Sequence, residues 1–368
     1  MQQDQQLIDA LRADLADLTA LHAPSGAEQP VIARLRDLFT PLTDTVSVDH
    51  MGNLTATRDG EPGMPHIVVS AHADEIGAMV ASIEPDGFLR LFALGGVQPR
   101  LLEGRAVWVA GHPGVIGARS GHLTSMAEQR QGVAITDLYV DLGVESAAEV
   151  AALGVQIGDP VVVISELRTL AGNRVAGKGI DNRASCVILL HLLRHLQNQS
   201  LPCRLTALIA VQEEVGLRGA KVAYERLHPD LAIVIDTFPA AGTPDTRNQS
   251  YAARIGRGAL ITPATASGEH GFLIPQAARQ AMIEAAQRAD VPYQLAVISG
   301  HGSVTDAAAA HLVAGGIATL EVKIPRRYSH SPVELVDLGD LAAVLALVEE
   351  LVLHPPTAEQ LAFLGKNV

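Results

Sequence analysis

The stretch Leu205-Thr206-Ala207-Leu208-Ile209-Ala210-Val211-Gln212-Glu213-Glu214-Val215-Gly216 decides how this chain reads. It begins as an apolar run of strand length, and two adjacent carboxylates stand where that buried strand emerges. Neighbouring side chains leave a strand on opposite faces, so Glu213 and Glu214 can serve two different tasks. Burial disfavours a charged carboxylate unless a positive charge compensates it, and a bound cation would compensate both. Other strand-like segments end in the same way. Residues 66–71 run into His72-Ala73-Asp74-Glu75, residues 231–235 into Asp236-Thr237, and residues 317–324 lead towards His330. With Asp181 in Gly179-Ile180-Asp181-Asn182-Arg183, this is the ligand inventory of a two-metal hydrolase.

Outward from that stretch the chain alternates between helical and strand patterns. Helices are expected over 184–196, 276–288, 305–313 and 338–353, with strands ending at Val211 and Asp236 and over 294–299 and 317–322. Alternation of this kind predicts an α/β fold, a sheet with helices on both faces, whose polar strand ends converge on one edge. Upstream, 7–21 has helical periodicity. Ser25-Gly26-Ala27-Glu28 has the spacing of a capping box for a helix reaching Phe39, and 45–58 reads as a hairpin broken at Met51-Gly52-Asn53. From 78 to 166 short apolar runs are punctuated by Gly-Gly, His-Pro-Gly and Gly-Asp-Pro, which predicts a small β unit inserted between 1–77 and 167–368.

A chain of 368 residues, 48% hydrophobic but only 3% aromatic, can build a large core from Ala, Val, Leu and Ile. Its 27 basic against 40 acidic side chains, a net charge of -13, argue against a nucleic-acid or anionic-membrane partner. Met1-Gln2-Gln3-Asp4 lacks the basic start of a signal peptide and no apolar run is long enough to span a bilayer, so a soluble cytoplasmic protein is expected. Cys186 and Cys203 each sit in an apolar pattern and read as buried free thiols.

Each candidate also has a plainer reading. His72 and Asp74 fall on one strand face, where the carboxylate can orient a metal-bound imidazole through its second ring nitrogen; alone, the pair is an ordinary satisfied histidine. Asp181 is either a helix N-cap or a carboxylate bridging two ions. Asp236 could be a turn acid, and His330 an exposed loop residue. His122 and His301, and behind them His112 and His270, are loop histidines of second rank. His191 and His195 read as a helix face, and Gly95-Gly96 and Gly256-Arg257-Gly258 as turns.

Taken in order, His72-Ala73-Asp74-Glu75-Ile76-Gly77, Gly114-Val115-Ile116-Gly117, Asp137-Leu138-Tyr139-Val140-Asp141, Gly158-Asp159-Pro160-Val161, Asp181-Asn182-Arg183, Val211 through Ala220, Asp236-Thr237 and Tyr328-Ser329-His330-Ser331 resemble metallopeptidase family 42. These are the TET-type glutamyl and deblocking aminopeptidases, some of them known as cellulase M. The resemblance implies a dinuclear zinc-peptidase fold, a mixed sheet flanked by helices, with an inserted PDZ-like β-barrel acting as lid or dimerisation unit. It implies two divalent ions, zinc or cobalt with manganese as a further candidate. One would be held by His72, Asp181 and Asp236, the other by Asp181, Glu214 and His330. Glu213 would be the general base and Asp74 would stand behind His72. It implies peptide substrates and a tetrahedral homododecamer. Two segments depart from the family pattern, Gly302-Ser303-Val304-Thr305-Asp306-Ala307 and Arg119-Ser120-Gly121-His122. The rival readings are a related metal-dependent deacylase or carboxypeptidase, a glycoside hydrolase needing only two opposed carboxylates, and a non-catalytic metal-binding scaffold.

Overall fold

The computed structural model describes residues 2–119, 121–123, 125–126, 132–246, 253–265, 271–297 and 304–364. His270, His301 and the ends of several loops lie outside these, as do Ser299 and Gly302-Ser303. The chain opens with helices α1 (Gln2–Ala20) and α2 (Gln29–Phe39), followed by strands β1 (Thr45–Val48), β2 (Leu54–Arg58) and β3 (His66–His72). Strands β4 (Gly77–Ile83), β5 (Leu89–Leu94), β6 (Ala106–Val109), β7 (His112–Ile116), β8 (Tyr139–Asp141) and β9 (Pro160–Val163), with helix α3 (Ala147–Ala152), come next. After β10 (Arg168–Thr169) and β11 (Arg174–Gly177) come α4 (Ile180–Leu196), β12 (Arg204–Ala210), α5 (Arg218–Leu227) and β13 (Leu231–Pro239). The chain continues through β14 (Ala259–Ile261), β15 (Ala264–Thr265), β16 (Phe272–Leu273), α6 (Gln276–Arg288), β17 (Tyr293–Leu295), α7 (Asp306–Ala310), β18 (Thr319–Arg326), β19 (Glu334–Asp337), α8 (Leu338–Leu353) and α9 (Ala358–Leu361).

Eight strands form one mixed sheet in the order β1-β2-β12-β3-β13-β18-β14-β17. Its centre, β12, β3, β13 and β18, is parallel, so these four C-terminal ends face one edge. The alternation along each strand explains the two helical layers. Leu205, Ala207 and Ile209 of β12 join α1, α2, α4, α6 and α8 in one core, whereas Leu208 and Ala210 pack with Ala220, Tyr224 and Ala307 of α5 and α7 on the other face. Nearly every side chain of α4 is buried, as expected of a helix that is apolar almost all round. The inserted segment forms a closed six-stranded antiparallel barrel, β4-β5-β8-β7-β6-β9, around Val80, Leu91, Val107, Val109 and Val140.

Several expectations need correction. The capping box at Ser25 does not form. The helix starts at Gln29 without a side-chain cap, Ser25 Oγ donates instead to Asp74 Oδ2 at 2.6 Å, and Glu28 Oε1 accepts from the backbone N–H of Gly26 and Gln212. The Ser25 hydroxyl is oriented by donation to a buried anionic acceptor. Helix α5 went unread because only Gly219, Ala220, Ala223 and Tyr224 of its ten residues are buried and left-handed Leu217 stands at its N-cap. The expected helix 305–313 is shorter, ending before the left-handed turn at Ala314. Strand β18 begins later and runs further than 317–324, to Arg326.

The turn that carries Glu213 and Glu214 is fixed from the side by Asn53. Its Oδ1 accepts from Val211 N at 3.1 Å, and its Nδ2 donates to Gly219 O at 3.0 Å. Gly219 N in turn reaches Val211 O, and a Cβ at Gly219 would lie 2.3 Å from both that oxygen and Asn53 Oδ1. Asn53→Ala therefore leaves the buried N–H of Val211 unpaired and removes the side-chain donor to Gly219 O, and urea unfolding should show a loss of ~1–3 kcal/mol. An unchanged midpoint would mean that the turn holds itself.

Candidate metal centre

The parallel centre of the sheet delivers its polar strand ends to one cleft of about 470 Å³, bordered by Leu217, Lys221, Thr237, Val304 and Thr305. His72 ends β3, Glu213 and Glu214 follow β12 after left-handed Gln212, Asp236 lies in β13, and Arg326 closes β18 before His330. All the expected site residues meet here. Donor atoms of His72, Glu213 and Asp236 lie within 4.8 Å of one another, as do those of Asp181, Glu214 and His330.

His72 is buried, with Nε2 3.4 Å from Asp181 Oδ1, 3.8 Å from Asp236 Oδ1 and 3.9 Å from Glu213 Oε2. Its Nδ1 faces Asp74 twice, 3.1 Å from the backbone oxygen and 3.4 Å from Oδ1. His330, more open, holds Nε2 3.5 Å from both Asp181 Oδ2 and Glu214 Oε1. Asp181 thus turns one oxygen towards each imidazole. It makes no capping bond, so the N-cap reading gives way to one that faces the cleft. Tetrahedral ligands about 2.0–2.1 Å from an ion stand roughly 3.3–3.4 Å apart, close to the His72–Asp181, His330–Asp181 and His330–Glu214 separations. Asp181 Oδ1 and Glu214 Oε1 are buried with no hydrogen-bond partner, so the donor set fits cations.

The electrostatics agree. Burial pushes the Glu213 carboxyl well above its ordinary range, against the pull of His72, and raises Glu214 to about 8. Burial alone would lower His72 and His330, yet the carboxylates around them outweigh it; His72 is raised well above its usual value and His330 to about 9. Burial would likewise raise Asp74, but His72, Ser25 and the backbone N–H of Glu213 hold it low. Asp74 Oδ1 accepts from Glu213 N at 3.0 Å and Oδ2 from Glu214 N at 3.1 Å, so it orients both glutamates as well as His72.

Three features escaped the sequence reading. Glu334, at the start of β19, accepts from Asp181 N and His330 N, both at 2.9 Å, and pairs with Arg326. Arg326 also pairs with Asp181 Oδ2 at 2.7 Å and donates to Ser329 Oγ. A carboxylate opening the apolar run Glu334-Leu335-Val336, four residues past His330, was the available signal. Third, Gly95-Gly96 is more than a turn. A Cβ on Gly96 would lie 2.5 Å from His330 Nδ1, and one on Gly95 would lie 3.1 Å from Glu214 Cβ, so the loop after β5 closes over the site.

Of the other candidate histidines, the described ones lie elsewhere. His191 pairs with Asp14 at 2.7 Å and His195 with Glu349 at 2.9 Å, and His112 meets Leu153 O. His122 is exposed. Cys186 and Cys203 are buried free thiols.

Residues 52–347 match the M42 glutamyl aminopeptidase family. A glutamyl aminopeptidase of Lactococcus lactis subsp. cremoris is 33% identical, the alignment covering 91% of this chain and 92% of that one. Among solved structures, an aminopeptidase of the archaeon Desulfurococcus kamchatkensis superposes with a TM-score of 0.89 at 34% identity, covering 99% of this chain and 98% of the other. A TET peptidase of Pyrococcus horikoshii, which can assemble into a tetrahedron or a large octahedral shell, superposes with a TM-score of 0.82 at 30% identity over 94% of this chain and 99% of the other.

Burial raises Glu214 to about 8 and the neighbouring carboxylates raise His330 to about 9, so this facing pair holds protons at pH 7 that must be lost to bind a cation. Divalent-ion affinity should therefore climb from pH 6 to pH 9, with protons released on binding. Calorimetry in buffers of differing ionisation enthalpy reads that release; a pH-independent affinity without it would contradict the arrangement.

Proposed function

The chain belongs to the M42 glutamyl aminopeptidase family and is a peptidase hydrolase, and on that footing we propose a dinuclear metal-dependent aminopeptidase that removes N-terminal residues from peptides. The observation that carries this reading is the pair of three-residue donor groups on one cleft, with Asp181 facing both imidazoles. His72, Asp181 and Asp236 would hold one ion, and Asp181, Glu214 and His330 the other. Zinc or cobalt suits these nitrogen and oxygen donors, and manganese is a further candidate.

When bound, such ions acidify water and polarise the scissile carbonyl. The side chains do the rest. Glu213 takes the proton of the attacking water and hands it to the departing amine; burial raises its carboxyl towards the working pH, which suits a group that must both accept and return a proton. Asp74 holds the His72 ring and both glutamate backbones in place. Arg326 and Glu334 hold Asp181 and the His330 loop. The surrounding carboxylates favour a cationic substrate end, the free α-amine.

In this reading 1–77 and 167–368 form the catalytic unit and 78–166 an inserted lid and dimerisation unit. Self-association into a tetrahedral homododecamer is supported by the Pyrococcus horikoshii relative and by outward apolar side chains on the barrel, Phe92, Val115 and Ile157. The described residues include no helix long and apolar enough to cross a membrane, and the working location proposed is the cytoplasm.

Free and N-acetylated peptides, assayed before and after chelation with metal add-back, separate this activity from deacylase, glycosidase and scaffold. Activity should need a free amine and return with zinc or cobalt. Glu213→Gln should keep both ions while turnover falls ~10²–10⁴-fold, whereas Glu214→Gln should lose one ion per chain; the opposite pattern reverses the two roles. Sedimentation should show a large homo-oligomer, and a fully active monomer would rule out the assembly.

A further inference from the structure

Behind the cleft lies a second set of charges to which the chemistry above gives no part. Glu75 stands three residues past His72, Lys178 three before Asp181, and Arg183 two after it. All three are buried, at 3%, 5% and 0% exposure. Lys178 Nζ donates to both carboxylate oxygens of Glu75, at 2.9 and 3.0 Å, and Arg183 Nη2 lies 3.5 Å from Oε1. The charges flanking Asp181 in sequence therefore converge on Glu75, the second carboxylate after His72.

We propose that this Glu75, Lys178 and Arg183 cluster is a positioning clamp that sets the separation of His72 from Asp181, and with it the capacity to hold two ions. The proposal rests on the dinuclear reading. Its first support is topological. β3 pairs with β12 and β13, while β11, which leads to Asp181, belongs to a separate three-stranded sheet with β10 and β19. No backbone ladder thus joins the two ligand-bearing segments. Among the described residues, a further bond between them runs from the Cys186 thiol to the His72 carbonyl at 3.2 Å, and a thiol is a weak donor.

The second support is local shape. Gly179 is left-handed, and a Cβ there would lie 2.8 Å from Glu75 Oε2, so the approach to Asp181 is built to admit that carboxylate. The third is a common anchor. Glu75 exchanges bonds with Ala23, accepting from its N–H at 3.2 Å and donating to its oxygen at 3.1 Å, and Lys178 Nζ reaches Leu21 O at 3.3 Å. The same loop supplies Ser25 to Asp74. One loop therefore ties the clamp to the carboxylate that orients Glu213 and Glu214. Removing the Glu75 charge would leave two buried cations facing each other, and their repulsion would displace the segment bearing Asp181.

The test uses full-length Glu75→Gln, Lys178→Met and Lys178→Arg, stripped by chelation and titrated with cobalt(II), with stoichiometry, affinity and visible spectrum read on protein of unchanged circular dichroism and assembly. Glu75→Gln and Lys178→Met should each weaken cobalt binding by ~10-fold or more, alter its spectrum and lower kcat more than they change KM. Lys178→Arg, which keeps the charge, should restore most of the affinity. Folded variants whose thermal stability falls while cobalt stoichiometry, affinity and spectrum stay as in the wild type would overturn the proposal. If Glu75→Gln does not fold, the two Lys178 variants decide by the same criteria. Wild-type protein binding fewer than two ions would sink the dinuclear reading itself, before any variant is compared.

Discussion

Asp74 joins three segments of the chain through two oxygen atoms. Oδ1 takes the N–H of Glu213 and faces the His72 ring, and Oδ2 takes the N–H of Glu214 and the hydroxyl of Ser25. It is fully buried, so none of these partners has water as an alternative. The end of β3, the turn after β12 and the loop between α1 and α2 are thereby locked together. Asn53 holds the same turn from the opposite side. The adjacent glutamates consequently diverge, Glu213 towards His72 and Asp236 and Glu214 towards Asp181 and His330.

That divergence gives two identical side chains different surroundings. Both are raised by burial, but the imidazole that most opposes the shift differs, His72 for Glu213 and His330, ahead of His72, for Glu214. Between them Asp181 is held through its backbone by Glu334 and through Oδ2 by Arg326, with Oδ1 facing His72 and Oδ2 also facing His330. The barrel also belongs to the site. Gly95 and Gly96 press against Glu214 and His330 so closely that neither position has room for a side chain. The inserted segment thus packs directly against Glu214 and His330.

Much of this was legible along the chain because burial and chemistry there have a period. The strand before Glu213, the helices 276–288 and 338–353, and a compact β insert followed from apolar spacing, and His72, Asp181, Glu213, Glu214, Asp236 and His330 stood out as charges where apolar runs end. Parallel strands in one sheet force such ends onto a single edge, so the sequence already implied that they meet. The M42 resemblance rested on the same residues.

What the sequence by itself determined, then, is the set of ligand-type residues and the order of the elements that carry them, since both are written in local pattern. The tertiary structure alone decided which groups hold them. Ser25 reads as a helix cap but bonds Asp74, Glu75 reads as one more acid of a ligand cluster but is held by Lys178 and Arg183, and Glu334, which the sequence reading passed over, anchors Asp181 and His330. All but the bond to His330, four residues before Glu334, span segments far apart in the chain. A hydrogen bond depends on distance and direction in space, neither of which leaves a periodic trace in sequence.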